Sequence, residues 1–219
     1  MTESSSQGVG TKKEEEMKSS SFGLFRPMFQ LLNYVAFVGW MYILYQLILQ
    51  TATSSSRWLL LGLEGICFLE VMRILLGDVK GNFVLGIVLH MIRTTIILIV
   101  LPVVPTMIQN GILLSWAVTE VARYPMYMFY GNTVLRNIRL VVPIVTFPIG
   151  AISEGYGAWM VLTTSEKPSL FVTCILILVL FINGVLGTLL AYPALLRKGL
   201  PILLGKKKKT TPTTTTKQD

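Results

Sequence analysis

Long apolar runs separated by short polar breaks make up most of the chain. Six follow one another, at about 27–49, 57–76, 82–107, 109–130, 138–163 and 168–192. Each is close to the ~20 residues that a helix needs to cross ~30 Å of hydrocarbon, where helices satisfy their own backbone in the absence of water. The pattern therefore predicts an all-α integral membrane protein. A six-transmembrane-helix bundle over residues 27–195 is expected between a disordered polar tail at 1–26 and a basic, Thr-rich tail at 196–219. The third and fourth runs merge around Pro102, Pro105 and Gly111, the helix breakers available at that junction.

An even number of crossings leaves both ends on one side. Lys12, Lys13, Lys18, Arg26, Lys80, Arg136, Arg139, Arg197, Lys198 and Lys206 to Lys209 fall on that side, against Arg57 and Lys167 on the other. The positive-inside rule then places both termini in the cytosol. Composition agrees with burial in lipid: 53% hydrophobic and 14% charged residues leave too little polar surface for a water-soluble globule. The formal charge of +8 does not point to nucleic acid, because much of the basic excess lies beside the last apolar run, where it meets anionic headgroups. The first 20 residues contain no apolar stretch of the kind a secretory signal requires. Cys67 and Cys174 both lie inside apolar runs and are expected to be buried thiols rather than a disulfide.

Charges inside such runs carry the functional signal, because an ionised side chain at mid-bilayer costs roughly 2.5–3.5 kcal/mol on insertion scales. The second run carries Glu64, Glu70 and Arg73, the last two spaced to neutralise each other on one helix face. His90 and Arg93 are three apart in the third, with no metal-binding spacing, so His90 is expected to be a hydrogen-bonded structural residue. The fourth, WAVTEVARYPMYMFY, sets Glu120, Arg123 and Tyr127 on one face, with Tyr124 and Tyr130 close by. In the fifth, RLVVPIVTFPIGAISEGYGAW, Phe147 and Glu154 are seven apart, two turns and about 10 Å along a helix axis. Pro143 and Pro148 should bend this helix, and Gly150 and Gly155 allow close approach by a neighbouring helix or an acyl chain. Tyr156, two positions from Glu154, should point nearly the opposite way.

CFLEVMR, Cys67 to Arg73, has the Cys-x5-Arg spacing of tyrosine phosphatases. That chemistry needs a loop of backbone amides curled round a phosphate, whereas this stretch reads as unbroken apolar helix. GxSxG, P-loop and dinucleotide fingerprints are absent from the sequence.

Taken together, LLNY with GW (Leu31 to Tyr34, Gly39, Trp40), LEVMRILLG (Leu69 to Gly77), Arg93, the W-x2-TE-x2-RY-x2-Y signature (Trp116, Thr119, Glu120, Arg123, Tyr124, Tyr127) and Pro148, Gly150 and Glu154 resemble the very-long-chain (3R)-3-hydroxyacyl-CoA dehydratases, once called protein-tyrosine-phosphatase-like proteins. The resemblance spans roughly residues 29–195. It implies six helices, residence in the endoplasmic reticulum membrane, and loss of water from a (3R)-3-hydroxyacyl-CoA in the fatty-acid elongation cycle. It also implies a long-chain acyl-CoA substrate in a narrow tunnel, contact with membrane lipids and other elongation enzymes, and no cofactor or metal.

In that family the active pair is a tyrosine just before the proline and a glutamate seven residues later. Glu154 holds the glutamate position, while the tyrosine position is Phe147; Leu140 follows Arg139 where the family has a second tyrosine, and Ser153 replaces a glycine. Glu154 is then the proton-handling residue, with Glu120, Arg123, Tyr124, Tyr127 and Arg93 in support. Arg123 or Arg93 is the candidate to orient Glu154 or the thioester. Phenylalanine neither donates nor accepts a proton, which also raises the alternative of an inactive paralogue that scaffolds elongase enzymes or binds acyl-CoA. A small transporter is the third class that intramembrane charges would fit.

Overall fold

A computed structural model of the chain describes residues 26–49, 56–75, 82–129, 131–164 and 168–205. Most of both predicted tails, with all of their lysines but Lys198, therefore lies outside the described residues, as do Lys80, Tyr130 and Lys167. What is described is all-helical, without strands, and forms six rods: α1 (Arg26–Ile48), α2 (Ser56–Leu75), α3 (Phe83–Thr95, extended by a π-helical turn at Ile96–Val100), α4 (Thr106–Met128), α5 (Thr133–Thr164) and α6 (Leu170–Leu203). Three helical stretches are long and apolar enough to cross a membrane: Pro27–Ile48 in α1, Thr133–Thr164 and Leu170–Leu203. Gly86–Val100 is apolar but shorter. In α2 and α4 the apolar run is interrupted by Glu64, Glu70, Arg73, Glu120 and Arg123.

The helix ends follow local chemistry. α3 and α4 are separated at Leu101–Pro105, where Leu101 N–H closes the π turn on the Ile96 carbonyl at 2.9 Å and Pro105, with ψ near 151°, leads into α4. Gly111, expected at this break, instead lies inside α4, where a Cβ would collide with the Ser153 hydroxyl of α5. Asn132 caps α5, its Oδ1 accepting from Val134 N–H at 2.9 Å, after a turn made possible by Gly131 at φ 91°. Pro143 and Pro148 sit within α5 without ending it. α6 passes the expected limit at 192 and continues to Leu203, with Gly205 (φ 65°) just beyond its end.

α4 packs most extensively, against α5 on one side and α1 on the other. Its buried stripe of Ile112, Trp116, Glu120 and Tyr124 recurs every four residues, and α5 answers with Thr146, Gly150, Glu154 and Ala158 at the same interval. Small residues set the separation, since a Cβ on Gly150 would stand 2.7 Å from the Ser115 hydroxyl and one on Gly157 2.7 Å from Val100 Cγ1. Much of the outer surface is apolar, with Leu31, Val38, Trp58, Ile152 and Leu170 exposed, as expected of rods that face lipid. Cys67 is buried, whereas Cys174 is exposed on α6, so only one of the two thiols is in the core; both are free.

Candidate active site

Glu154 points into the bundle and is 9% exposed. Each carboxylate oxygen has its own donor from a different helix: Trp116 Nε1–H of α4 reaches Oε1 at 2.6 Å, and Asn183 Nδ2–H of α6 reaches Oε2 at 2.9 Å. The two hydrogen bonds fix the orientation of the group. Tyr156, two residues on, is 52% exposed on the other face of α5. Carboxylic acids inside apolar helices are expensive, and two dedicated donors mark this one as a built position.

Asn183 reaches Glu154 from the first turn of a π-helical stretch, Ile182–Ala191, within α6. Such wide turns are uncommon and recur at functional sites. Two turns along the same face, Tyr192 lies against Phe147 with ring centroids 6.0 Å apart and planes 11° from parallel. Between them Gly187 makes room: a Cβ there would be 2.9 Å from Phe147 Cζ and 3.1 Å from the Ile182 carbonyl. α6 thus supplies a polar donor at Glu154 and an aromatic floor at Phe147. Replacement of Gly187 by Ala should lower the melting temperature, because overpacking of this kind costs about 1–3 kcal/mol against a helix-propensity gain of about 1 kcal/mol. Gly184→Ala is the control, since nothing lies within 4 Å of its Cβ position. It keeps the propensity gain alone, and equal melting of the two variants would contradict this packing.

The remaining predicted residues assemble one layer away as a chain of charges. His90 Nδ1 meets Glu64 Oε1 at 2.5 Å; Arg93 Nη1 bonds Glu120 Oε1 at 2.7 Å and stands 3.7 Å from Glu64 Oε2. Arg123 Nη2 bridges Glu120 Oε2 at 2.8 Å and Glu70 Oε2 at 3.1 Å. α2, α3 and α4 are therefore tied together by ion pairs in the interior. Glu70 pairs across helices with Arg123, while Arg73, its expected partner, carries its guanidinium 4.6 Å over the Phe29 ring. His90 is hydrogen-bonded, as the sequence suggested.

Neither arginine touches Glu154. Arg93 acts at one remove: its guanidinium lies 5.2 Å over the Trp116 ring, and the indole of Trp116 holds the carboxylate. Tyr124 bonds Cys67 Sγ at 3.1 Å, and Tyr127 sits edge-on to Tyr124 beneath Arg139. Both tyrosines belong to the charged layer. Cys67 to Arg73 is continuous helix, with no loop in which a phosphate could be cradled.

Sequence reasoning left Trp116 as a signature residue without a role and passed over Asn183 and Tyr192. The signal for Asn183 was available: it is the one amide in the run LFVTCILILVLFINGVLG, where a polar side chain needs a partner.

No curated protein and no solved structure matches the chain. The model of one family, described as protein tyrosine phosphatase-like protein, PTPLA, matches residues 65–210, a stretch that contains Glu154, Phe147, Trp116, Asn183 and all of the charged layer but Glu64. The chain therefore belongs to the protein tyrosine phosphatase-like family, the very-long-chain 3-hydroxyacyl-CoA dehydratases.

Proposed function

We propose that this protein dehydrates (3R)-3-hydroxyacyl-CoA to the trans-2-enoyl-CoA in the fatty-acid elongation cycle of the endoplasmic reticulum. The observation that carries this reading is Glu154, buried among apolar helices with both oxygens held by Trp116 and Asn183. β-Elimination needs a base for the proton α to the thioester and an acid for the departing hydroxyl. A carboxylate positioned by two donors is suited to the first task. Trp116 and Asn183 limit its rotation, so that little orientational freedom is lost in the reacting geometry.

The bundle crosses the membrane six times, with α2 and α4 carried inside by their mutual ion pairs, and both termini face the cytosol. The position of the basic residues supports this orientation: Arg136 and Arg139 begin α5 where Arg197 and Lys198 end α6, with Gly199 against the Leu140 backbone. The acyl chain lies among apolar helix faces, and the CoA phosphates meet the cytosolic arginines and lysines.

Phe147 favours a second reading, an inactive paralogue that binds acyl-CoA or holds elongation enzymes together. Turnover separates the two. The full-length protein, purified from cells deprived of their own dehydratase and returned to lipid, should convert (3R)-3-hydroxyacyl-CoA to trans-2-enoyl-CoA above the protein-free background. Absence of product at substrate concentrations that saturate binding would leave the scaffold.

A further inference from the structure

Within the dehydratase reading a proton donor is missing, because Phe147 occupies the position of the family phenol. Four tyrosines of α4, α5 and α6 can be compared. Tyr124 is committed to Cys67, Tyr127 lies in the charged layer beneath Arg139, and Tyr156 is on the exposed face of α5. Tyr192 alone of the four stacks on Phe147; it is half-buried, and its hydroxyl has no hydrogen-bond partner among the described residues.

Helix direction bears on where that hydroxyl goes. α5 and α6 run antiparallel, since Glu154 meets Asn183, Phe147 meets Gly187 and Tyr192, and Leu140 meets Gly199. Side chains on a helix lean toward its N-terminus. By that rule a tyrosine at 192 leans back along α6 toward Gly187 and Asn183, the end at which Glu154 is held. The π-helical stretch resets the register of α6 so that Asn183 and Tyr192 share one face.

We infer that Tyr192 supplies the phenol that Phe147 lacks, giving its proton to the 3-hydroxyl as the substrate eliminates at Glu154. In this step the Glu154 carboxylate takes the α proton, the electron pair of that C–H bond forms the C2–C3 double bond, and the C3–O bond breaks. The leaving oxygen takes the Tyr192 proton and departs as water. The carboxylic acid then returns its proton to the phenolate, so that neither residue is consumed.

The inference rests on the dehydratase reading, and four forms of the full-length protein in lipid separate the two: the parent, Tyr192→Phe, Phe147→Tyr and the double variant. Tyr192→Phe should lower kcat by about 10²-fold or more with KM nearly unchanged, the range typical of losing one acid–base group. Phe147→Tyr in the Tyr192→Phe background should restore turnover, because it returns a phenol to the family position; this recovery also excludes a folding defect. An active parent whose Tyr192→Phe variant stays within about threefold would overturn the role of Tyr192 and leave the dehydratase standing, since a lost acid–base group costs far more. An inactive parent with an inactive Phe147→Tyr variant would overturn both.

Discussion

Glu154→Gln should abolish dehydratase turnover, lowering kcat by about 10²–10⁴-fold, while the protein folds and melts close to its parent. The expectation follows from what each carboxylate oxygen touches. Glutamine keeps a carbonyl oxygen to accept from Trp116 Nε1, now 2.6 Å from Oε1. Its amide nitrogen would face Asn183 Nδ2, donor against donor, at the 2.9 Å contact. That conflict is relieved by rotating the Asn183 amide so that its oxygen accepts instead. Shape and hydrogen bonding survive; the capacity to take a proton does not. Glu154→Ala behaves differently, because it leaves the Trp116 and Asn183 donors buried without partners, at about 1–3 kcal/mol each. A Gln variant with near-parental activity would remove the carboxylate from the chemistry, and one that fails to fold would make Glu154 a structural group.

Much of the fold was legible because a lipid-facing helix declares itself through an unbroken apolar run. Helix limits were misplaced where tertiary contacts decided them. Gly111 reads as a breaker in isolation, yet it is helical because α5 presses Ser153 against it. α6 continues past 192 because its last turns pack on α5, where Gly199 lies against the Leu140 carbonyl. Neither contact is visible in a one-dimensional pattern. α2 and α4 are not among the helices long and apolar enough to cross a membrane, and both carry charges that pair inside the bundle.

In the candidate site, the shared helix of Glu154 and Phe147 was legible and their neighbours were not. Spacing alone placed Glu154 and Phe147 on one face of one helix, because both sit on α5 and helix geometry is fixed. Pairings between helices were not available in the same way. Arg123 or Arg93 was expected to orient Glu154 or the thioester, but both are held by Glu120, and it is the neutral-looking Trp116 that reaches the carboxylate. Tyr192 was missed for a related reason. It lies forty-five positions from Phe147 in sequence, beyond a π-helical stretch that no regular period of 3.6 would have predicted.

Glu120→Ala should be the most destabilising single change in the charged layer. Glu120 is 1% exposed and is shared by Arg93 at 2.7 Å and Arg123 at 2.8 Å. Removing one member of a buried pair typically costs about 3–5 kcal/mol, because the charge left behind cannot regain its hydration. Here two guanidinium groups lose their common partner, but each keeps a second carboxylate: Glu64 at 3.7 Å from Arg93 and Glu70 at 3.1 Å from Arg123. The lower end of the range, about 3 kcal/mol, is therefore expected, measured as unfolding of the purified protein in detergent. Activity should also fall, though less than in Glu154→Gln, since an Arg93 freed from Glu120 no longer holds its place over Trp116, and it is Trp116 that orients the carboxylate. A Glu120→Ala protein within about 1 kcal/mol of its parent would mean that the interior ion pairs merely offset their own desolvation. The helices would then be held by the small-residue contacts between α4 and α5, and Trp116 would orient Glu154 without help from the layer behind it.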